Sequence, residues 1–225
     1  MANLKLIATL LLLALAASSA RAQLSDNFYS SSCPNALAKV KEVVGTWISS
    51  DSTLAPSLLR LHFHDCWIRG CDGSVLLDTA NGEKSAFGNV NSLRGFEVID
   101  DIKTQVEALC PGVVSCSDIL ATAARDGMVQ FSGAAINWAV QTGRRDGVVS
   151  SASEANADLP PPFSNFNSLV SNFQNKGFTS REMIVLSGSH TVGRSHCSTI
   201  QSRLYNFSST ASTDPSMDSP PSQRL

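Results

Sequence analysis

One short segment of the chain carries residue types that can do acid–base chemistry. It reads Arg60-Leu61-His62-Phe63-His64-Asp65-Cys66. If this segment is a helix, Arg60 and His64 are i, i+4 neighbours with Phe63 beside them, so a cation, an aromatic wall and an acid–base group share one face. If it is a strand, His62 and His64 share a face instead, as in an H-x-H metal hydrolase. Taken alone, the segment is explained most simply by two surface histidines with satisfied nitrogens.

The loop that follows has the side chains of a hard-cation site. Asp65, Asp72 and Ser74 lie close together in sequence, and Gly70 and Gly73 allow the backbone to turn. Side-chain oxygens and inward-turned carbonyls are the ligands that Ca²⁺ prefers. The spacing is not that of an EF-hand, so the loop would be a calcium site of another type.

A further histidine stands at the end of an apolar helical stretch. His190 lies in Val185-Leu186-Ser187-Gly188-Ser189-His190-Thr191. A histidine in such a place is usually a core residue whose nitrogens are hydrogen-bonded. It can also be the axial ligand of a haem iron. The segment alone leaves both interpretations open.

Residues 1–22 have the pattern of a secretory signal peptide. Lys5 precedes the apolar run 6–17, and Ala20-Arg21-Ala22 supplies an A-x-A cleavage pattern. A membrane anchor is the alternative, but the run is short for a bilayer span. We therefore expect a secreted mature chain that starts near Gln23. No later segment is apolar enough to cross a membrane, so we expect the mature chain to have no membrane partner.

Secretion changes how the six cysteines are interpreted. An even number in an oxidising compartment indicates disulfides, although the pairing stays open. Cys66 and Cys71 are close enough in sequence to close one tight loop. A zinc site is the rival interpretation, but the sequence contains no C-x-x-C pair.

Composition and periodicity indicate a single, mainly α domain. The formal charge is −2 and the basic residues are scattered, which does not favour nucleic-acid binding. Apolar residues recur at helical spacing, and long alternating strands are absent. The predicted helical stripes run through residues 40–48, 99–109, 119–124, 169–173 and 183–186.

Local signals predict where several of these elements end. Thr179 and Glu182 form a capping box, Ser115 or Ser117 caps the helix through 119–124, and Gly127 ends it. Residues 81–91 and 147–162 are predicted linkers. The Ser- and Pro-rich tail 208–225 cannot bury enough apolar surface and is predicted to be disordered. The predicted domain therefore spans residues 23–207.

These segments together resemble the class III plant peroxidases. Matching motifs occur in family order up to about Tyr205, and they are Leu59–Cys66, Gly70–Leu77, Glu83-Lys84, Gly88-Asn89, Val114–Leu120, Gly143–Asp146, Leu159-Pro160 and Leu186–Thr191. The resemblance implies the haem-peroxidase fold, mainly α, with two helical layers around the haem. It also implies a secreted enzyme, in the cell wall or vacuole, that responds to oxidative stress.

The resemblance implies roles for the residues of the pocket. His64 would be the distal acid–base group, and Arg60 would stabilise the negative charge that develops as the peroxide bond breaks. Asn89 would accept the other imidazole N–H of His64. His190 would ligate the iron of haem b from the proximal side.

The resemblance also implies the partners of the reaction. Phe63 would wall the pocket, and Pro160 would lie at the site of aromatic donors. The expected substrates are hydrogen peroxide and small phenols that give up single electrons. The expected oligomeric state is a monomer.

Calcium and disulfides follow from the same resemblance. The distal Ca²⁺ would be held by Asp65, Ile68, Gly70, Asp72 and Ser74, with Glu83 reaching it through water. Thr191 would belong to a second Ca²⁺ site. The implied disulfides are Cys33–Cys110 and Cys66–Cys71. No side-chain role is implied for Trp67 or Arg69.

The resemblance stops near Tyr205, beyond which family members carry more proximal helices. Those helices hold the partners of Cys116 and Cys197, the other ligands of the second Ca²⁺ site, and the aspartate that accepts the second N–H of the proximal histidine. We therefore expect a C-terminally truncated peroxidase with one Ca²⁺, two free thiols, weak haem retention and low activity. The alternative is a non-catalytic, secreted Ca²⁺-binding relic of the fold.

Overall fold

A computed structural model describes residues 24–217. The predicted signal peptide, residues 1–22, lies outside these residues. Eight α-helices occur in the described range: α1 (Ala36–Ser50), α2 (Leu54–Arg69), α3 (Phe96–Leu109), α4 (Cys116–Phe131), α5 (Ala152–Asp158), α6 (Phe166–Asn175), α7 (Ser180–Ser187) and α8 (Cys197–Leu204). Short 3₁₀ turns span Ser74–Leu76, Glu83–Ser85 and Gly188–Thr191. The only β-pairing among these residues is an isolated bridge between Ser25 and Thr142, which confirms the mainly α class.

The chain divides into two compact units. The first extends to Ala157 and the second starts at Asp158. The single domain over residues 23–207 stays a prediction from the sequence, and the boundary between the two units is a separate finding. It falls inside the stretch 147–162, which the sequence marked as a linker.

The core of the first unit lies between α1, α2, α3 and α4. Helix α4 packs against α2 and α1, and α1 also packs against α3. The buried face of α1 carries Val40, Val43, Val44 and Ile48, as its helical spacing predicts. Burying each of these apolar side chains contributes about 1.5–3 kcal/mol of transfer free energy.

Two disulfides close loops in the first unit. Cys33 is bonded to Cys110, and Cys66 is bonded to Cys71. Both bonds match the pairing that the resemblance implied. Possible ligand atoms of His62, Cys66 and Cys71 lie within 4.8 Å of one another. The zinc interpretation fails there, because the two sulfurs are joined to each other.

The predicted helix starts are confirmed, but one predicted helix end is wrong. The Ser115 hydroxyl caps α4 by accepting the N–H of Asp118 at 3.2 Å, and the Thr179–Glu182 capping box opens α7. Gly127 does not end α4, which continues to Phe131. Gly127 lies inside α4 and faces Ala55 of α2, where an added Cβ would make an ordinary van der Waals contact at 3.5 Å.

The predicted irregular stretches contain more structure than the sequence indicated. The stretch 147–162 contains α5, and the stretch 81–91 contains a 3₁₀ turn. Residues 208–217 of the predicted disordered tail form turns; the Asp214 N–H donates to the Arg203 carbonyl at 2.9 Å, and the two side chains form an ion pair. Residues 218–225 lie outside the described range.

The second unit has little apolar core of its own. Helices α6 and α7 contact each other and bury Phe173 and Met183. Ile184, Val185 and Leu186 of α7 are exposed. In the part of the chain that the structure describes, we find no helix with the length and apolarity that a bilayer crossing requires.

Candidate active site

His64 is held in one tautomer by a buried hydrogen bond. It lies in the middle of α2, it is 7 % exposed, and its Nδ1 is 2.6 Å from Oδ1 of Asn89. The amide nitrogen of Asn89 donates to the Glu83 carbonyl at 2.8 Å, so its oxygen faces the imidazole. Nδ1 must therefore carry the proton, and Nε2 keeps a free lone pair. Burial lowers the pKa of His64 to about 3, helped by the charge of Arg60, so the ring is neutral at physiological pH.

Arg60 is fixed by the same turn that supplies Asn89. Its guanidinium donates to the carbonyls of Ser92 and Gly88, both at 2.9 Å. The i, i+4 spacing within α2 thus places a cation and a neutral base side by side, and both bind to the same turn. The Gly88–Ser92 turn positions both side chains.

Phe63 and Trp67 form the aromatic side of α2. The Phe63 ring is edge-on to His64, with centroids 5.5 Å apart, and its centroid is 5.1 Å from that of Trp67. Trp67 is buried and Phe63 is half-buried. The Phe63 ring therefore lies between His64 and Trp67 and contacts both side chains.

His62 lies apart from His64, which excludes the metal-hydrolase interpretation. The segment is helical, so the two rings do not share a face. His62 is half-buried, and its Nδ1 lies 3.5 Å from the sulfur of Cys66. Burial, with a smaller effect of the Arg144 charge, lowers the pKa of His62 to about 4. The interpretation of two surface histidines is also wrong, because His64 is buried.

The acidic loop after α2 wraps around a buried carboxylate. The Asp65 side chain accepts the N–H groups of Gly73 at 3.0 Å and Val75 at 3.4 Å. Burial raises the pKa of Asp65 to about 7, and the nearby charges of Asp72 and Glu83 add to the effect. Like charges held together away from water are stabilised by a bound cation.

Glu83 supplies the clearest indication that a cation belongs in this loop. It is fully buried, and its Oε1 accepts the Ser74 hydroxyl at 2.8 Å. Its Oε2 is buried with no hydrogen-bond partner among the described residues. Burial raises the pKa of Glu83. A buried oxygen of this kind costs free energy unless something pairs with it.

The remaining predicted calcium ligands lie in the same loop. The Gly70 carbonyl accepts the Asp72 N–H at 2.8 Å, and an Asp72 carboxylate oxygen accepts the Ser74 N–H at 3.1 Å. Ile68 is buried at the end of α2. The atoms that these residues would offer to a metal are all oxygens, which fits Ca²⁺. Asp72, Ser74 and Glu83 are linked by hydrogen bonds in the loop that also binds the Asp65 carboxylate. The full ligand set, which also includes Ile68 and Gly70, stays a prediction.

The acidic loop and His64 are joined by one hydrogen-bond chain. Glu83 contributes its side chain to the loop and its carbonyl to Asn89, and Asn89 in turn accepts from His64. A change in the loop backbone at Glu83 would therefore move the oxygen that orients the imidazole.

The other predicted site residues belong to the second unit. His190 is exposed in the turn Gly188–Thr191, and its Nδ1 lies 3.1 Å from the Ser187 carbonyl oxygen, which can only accept. Nε2 is thus the nitrogen left for a metal. The Thr191 hydroxyl donates to the Gly188 carbonyl at 2.8 Å, and Pro160 is half-exposed. The interpretation of His190 as a core histidine is wrong, because the side chain is exposed.

Sequence reasoning assigned no role to a buried network around Asp118. This carboxylate accepts the Tyr29 hydroxyl at 2.7 Å, the Gly143 N–H at 2.6 Å and the Arg144 guanidinium at 3.0 Å. Asp146 accepts the first two N–H groups of α4. The sequence did show its two parts, an aspartate in the first turn of a predicted helix and the motif 143–146. Nothing local indicated that the two would meet.

Comparison with known proteins agrees with the motifs. A family model described as Peroxidase matches residues 40–225. The chain is 50 % identical over 201 residues to Peroxidase 3 of Arabidopsis thaliana, covering 88 % of this chain and 61 % of that protein. It is 50 % identical over 221 residues to Peroxidase 27 of the same plant, covering 97 % and 67 %. It is 52 % identical over 200 residues to Peroxidase 5 of Vitis vinifera, covering 88 % and 60 %.

The chain thus spans about three fifths to two thirds of the length of these curated relatives. The matched region includes α2, the acidic loop and the segment around His190. Because the family model covers most of the chain and the relatives are all plant peroxidases, we conclude that this protein is a member of the peroxidase family, of the class III plant type.

Proposed function

We propose that this protein is a secreted, haem-dependent peroxidase that reduces hydrogen peroxide with single electrons from small phenols. The observation that carries the proposal is the neutral, buried His64 of α2, which Asn89 orients at 2.6 Å and which lies on the helix that leads into the acidic loop. Family membership supports the reaction class. The extracellular setting, in the cell wall or vacuole, and a role under oxidative stress are part of the same proposal.

In the second unit, His190 is suited to bind a haem iron. His190 offers an exposed imidazole whose Nδ1 is directed to a backbone carbonyl, which leaves Nε2 for iron. When bound, haem supplies redox-active iron, and Pro160 would contact the phenol. Thr191 would contribute to a second Ca²⁺ site.

The residues of the first unit would handle the proton and the developing charge. Nε2 of His64 accepts a proton from one oxygen of hydrogen peroxide and returns it to the oxygen that leaves as water. The guanidinium of Arg60 stabilises the negative charge that appears on the leaving oxygen. Phe63 restricts the approach of larger molecules. Ca²⁺ in the acidic loop would hold Glu83, and through it Asn89, in place.

The test compares His64→Ala with His196→Ala in the full chain, supplied with haem and Ca²⁺. His196 is exposed and its side chain does not cap α8, so it is a matched control. We expect a Soret band in both variants, with phenol oxidation lowered by about 10²–10⁴-fold in His64→Ala only. Unchanged oxidation in His64→Ala would show that the activity comes from loosely held haem rather than from this site.

A further inference from the structure

An exposed ion pair borders the acidic loop. The Arg69 guanidinium donates to both carboxylate oxygens of Glu154, from Nε at 2.8 Å and from a terminal nitrogen at 2.6 Å. Arg69 is the last residue of α2, directly before Gly70, and Glu154 lies on α5, 85 positions further along the chain. The side chains are 39 % and 41 % exposed, so the pair itself contributes only about 0.2–1 kcal/mol to stability.

Both charges of this pair reach the carboxylates of the loop. The pKa of Arg69 is raised, chiefly by its hydrogen bonds to Glu154 and further by the charges of Asp72 and Glu83. Burial is the main cause of the raised pKa of Glu83; the charge of Glu154 raises this pKa further, and the charge of Arg69 lowers it. The two members of the pair therefore act on the buried carboxylate in opposite directions.

The segment that carries Glu154 is fastened to the loop by its backbone. Gly147 N–H donates to the Asp72 carbonyl at 2.7 Å, Glu83 N–H donates to the Ser150 hydroxyl at 2.9 Å, and Ala152 N–H donates to the Asn81 carbonyl at 2.8 Å. Asn156 accepts the Phe87 N–H at 2.8 Å. These bonds fix the backbone of the segment beside the loop, so we expect the charge of Glu154 to stay near the loop when Arg69 is replaced.

We infer that Arg69 and Glu154 set the calcium affinity of the acidic loop, Arg69 lowering it and Glu154 raising it by direct Coulomb interaction with the ion. This inference rests on the Ca²⁺ site of the proposed function. The pair is a neutral unit in the parent chain. Removing one member exposes the full field of the other, whereas removing both restores near neutrality.

The experiment is a Ca²⁺ titration of full-length chain variants against a chromophoric chelator at low ionic strength. Arg69→Gln should bind Ca²⁺ roughly threefold to tenfold more tightly than the parent, and Glu154→Gln should bind it more weakly by a similar factor. The double variant should return close to the parent. Arg69→Lys, which keeps the charge but loses the two-pronged geometry, should also stay close to the parent. All differences should shrink in 0.5 M salt, where the screening length falls to roughly 4–5 Å.

The matched control is Arg94→Gln, which removes an equally exposed arginine paired with Asp51. That pair is 47 % and 40 % exposed and lies at the other end of α2, roughly 20 Å away at 1.5 Å rise per residue. The Ca²⁺ affinity of Arg94→Gln should equal that of the parent. If Arg69→Gln and Glu154→Gln weaken binding alike, the pair acts by holding the loop together and the charge inference is overturned. If the parent shows no saturable binding, the proposed Ca²⁺ site fails, and the inference fails with it.

Discussion

The proposed chemistry depends at the residue scale on a histidine that stays neutral. A histidine in water has a pKa near 6.5, whereas burial lowers the pKa of His64 to about 3. Asn89 then determines which nitrogen is protonated. Burial sets the charge of the ring and the hydrogen bond sets its tautomer, and both are needed for a base that accepts a proton through Nε2.

His64 should make the first unit less stable in mild acid. Between pH 6.5 and pH 3 the unfolded chain binds one more proton at this position than the folded chain, so stability falls as pH falls through that window. The loss is about 1.4 kcal/mol per pH unit at most. Urea unfolding at pH 7, 6 and 5 should therefore show the parent losing stability relative to His64→Gln, which stays uncharged.

Tryptophan fluorescence is a suitable signal for this measurement. Trp47, Trp67 and Trp138 are the three tryptophans of the chain, and all lie in the first unit. Parallel pH dependences in the parent and in His64→Gln would contradict the low pKa of His64.

The two free cysteines should differ strongly in reactivity. Cys197 is exposed, whereas Cys116 is half-buried. Burial, together with the charge of the neighbouring Asp146, raises the pKa of Cys116 to about 11. At pH 8, iodoacetamide should therefore label Cys197 at least about tenfold faster than Cys116, because the thiolate is the nucleophile. Peptide mass mapping measures both rates, and the four disulfide-bonded cysteines serve as unlabelled controls. Equal rates would show that Cys116 is not shielded.

At the scale of the element, the acidic loop depends on two parts of the chain, helix α2 and residues 147–156. Helix α2 carries Arg60, Phe63 and His64, and its last turn leads into the acidic loop. Residues 147–156 then lie along that loop through the backbone bonds of Gly147 and Ala152. The geometry of the loop therefore depends on a segment far away in sequence.

Gly147 should be essential to this contact. A Cβ at Gly147 would overlap the carboxylate of Asp72, so in Gly147→Ala this carboxylate, a proposed Ca²⁺ ligand, must move from its place in the loop. We expect a loss of about 1–3 kcal/mol in stability and a clear rise in the Kd for Ca²⁺. Urea unfolding and a Ca²⁺ titration check the two effects.

Gly45→Ala is the control for this substitution. Gly45 lies inside α1, and a Cβ there would meet nothing within 4 Å. It should stabilise α1 by about 0.5–1 kcal/mol and leave the Kd for Ca²⁺ unchanged. If Gly147→Ala behaved like Gly45→Ala, the close approach of Gly147 to Asp72 would not matter in solution.

The two units of the molecule differ in how much apolar surface they bury. Only three of the described buried apolar residues, Leu159, Phe173 and Met183, lie in the second unit. Burial of apolar side chains is the main stabilising contribution to a folded unit. Exposed apolar residues of α7 add to the imbalance.

Amide hydrogen exchange should therefore separate the units. Peptides from α4 should exchange slowly, near the rate of global unfolding, and peptides from α7 should exchange faster by at least about a hundredfold. The measurement is mass spectrometry of the intact chain after timed labelling in deuterated buffer. Equal protection of the two helices would show that the second unit is as stable as the first.

The sequence by itself determined the helical class and most of the helix positions, and it supplied the proposed site residues. Apolar spacing follows from the 3.6-residue repeat and capping follows from local hydrogen bonds, so both can be recognised within a few residues. The motifs around His64 and His190 indicated the family, and the family implied the disulfides and the ligands. Local signals failed at Gly127, which lies inside α4, because a glycine in a helical stretch can stand within the helix as well as at its end.

Tertiary structure decided the quantities that depend on burial and on distant partners. The low pKa of His64 and the network of Asp118 arise only when separate segments exclude water from the same volume. The same holds for the buried Oε2 of Glu83, which has no hydrogen-bond partner among residues 24–217. The bond between Arg69 and Glu154 joins residues 85 positions apart. Charge and hydrogen-bond energies depend on distances in space and on the surrounding dielectric, which no short stretch of sequence specifies.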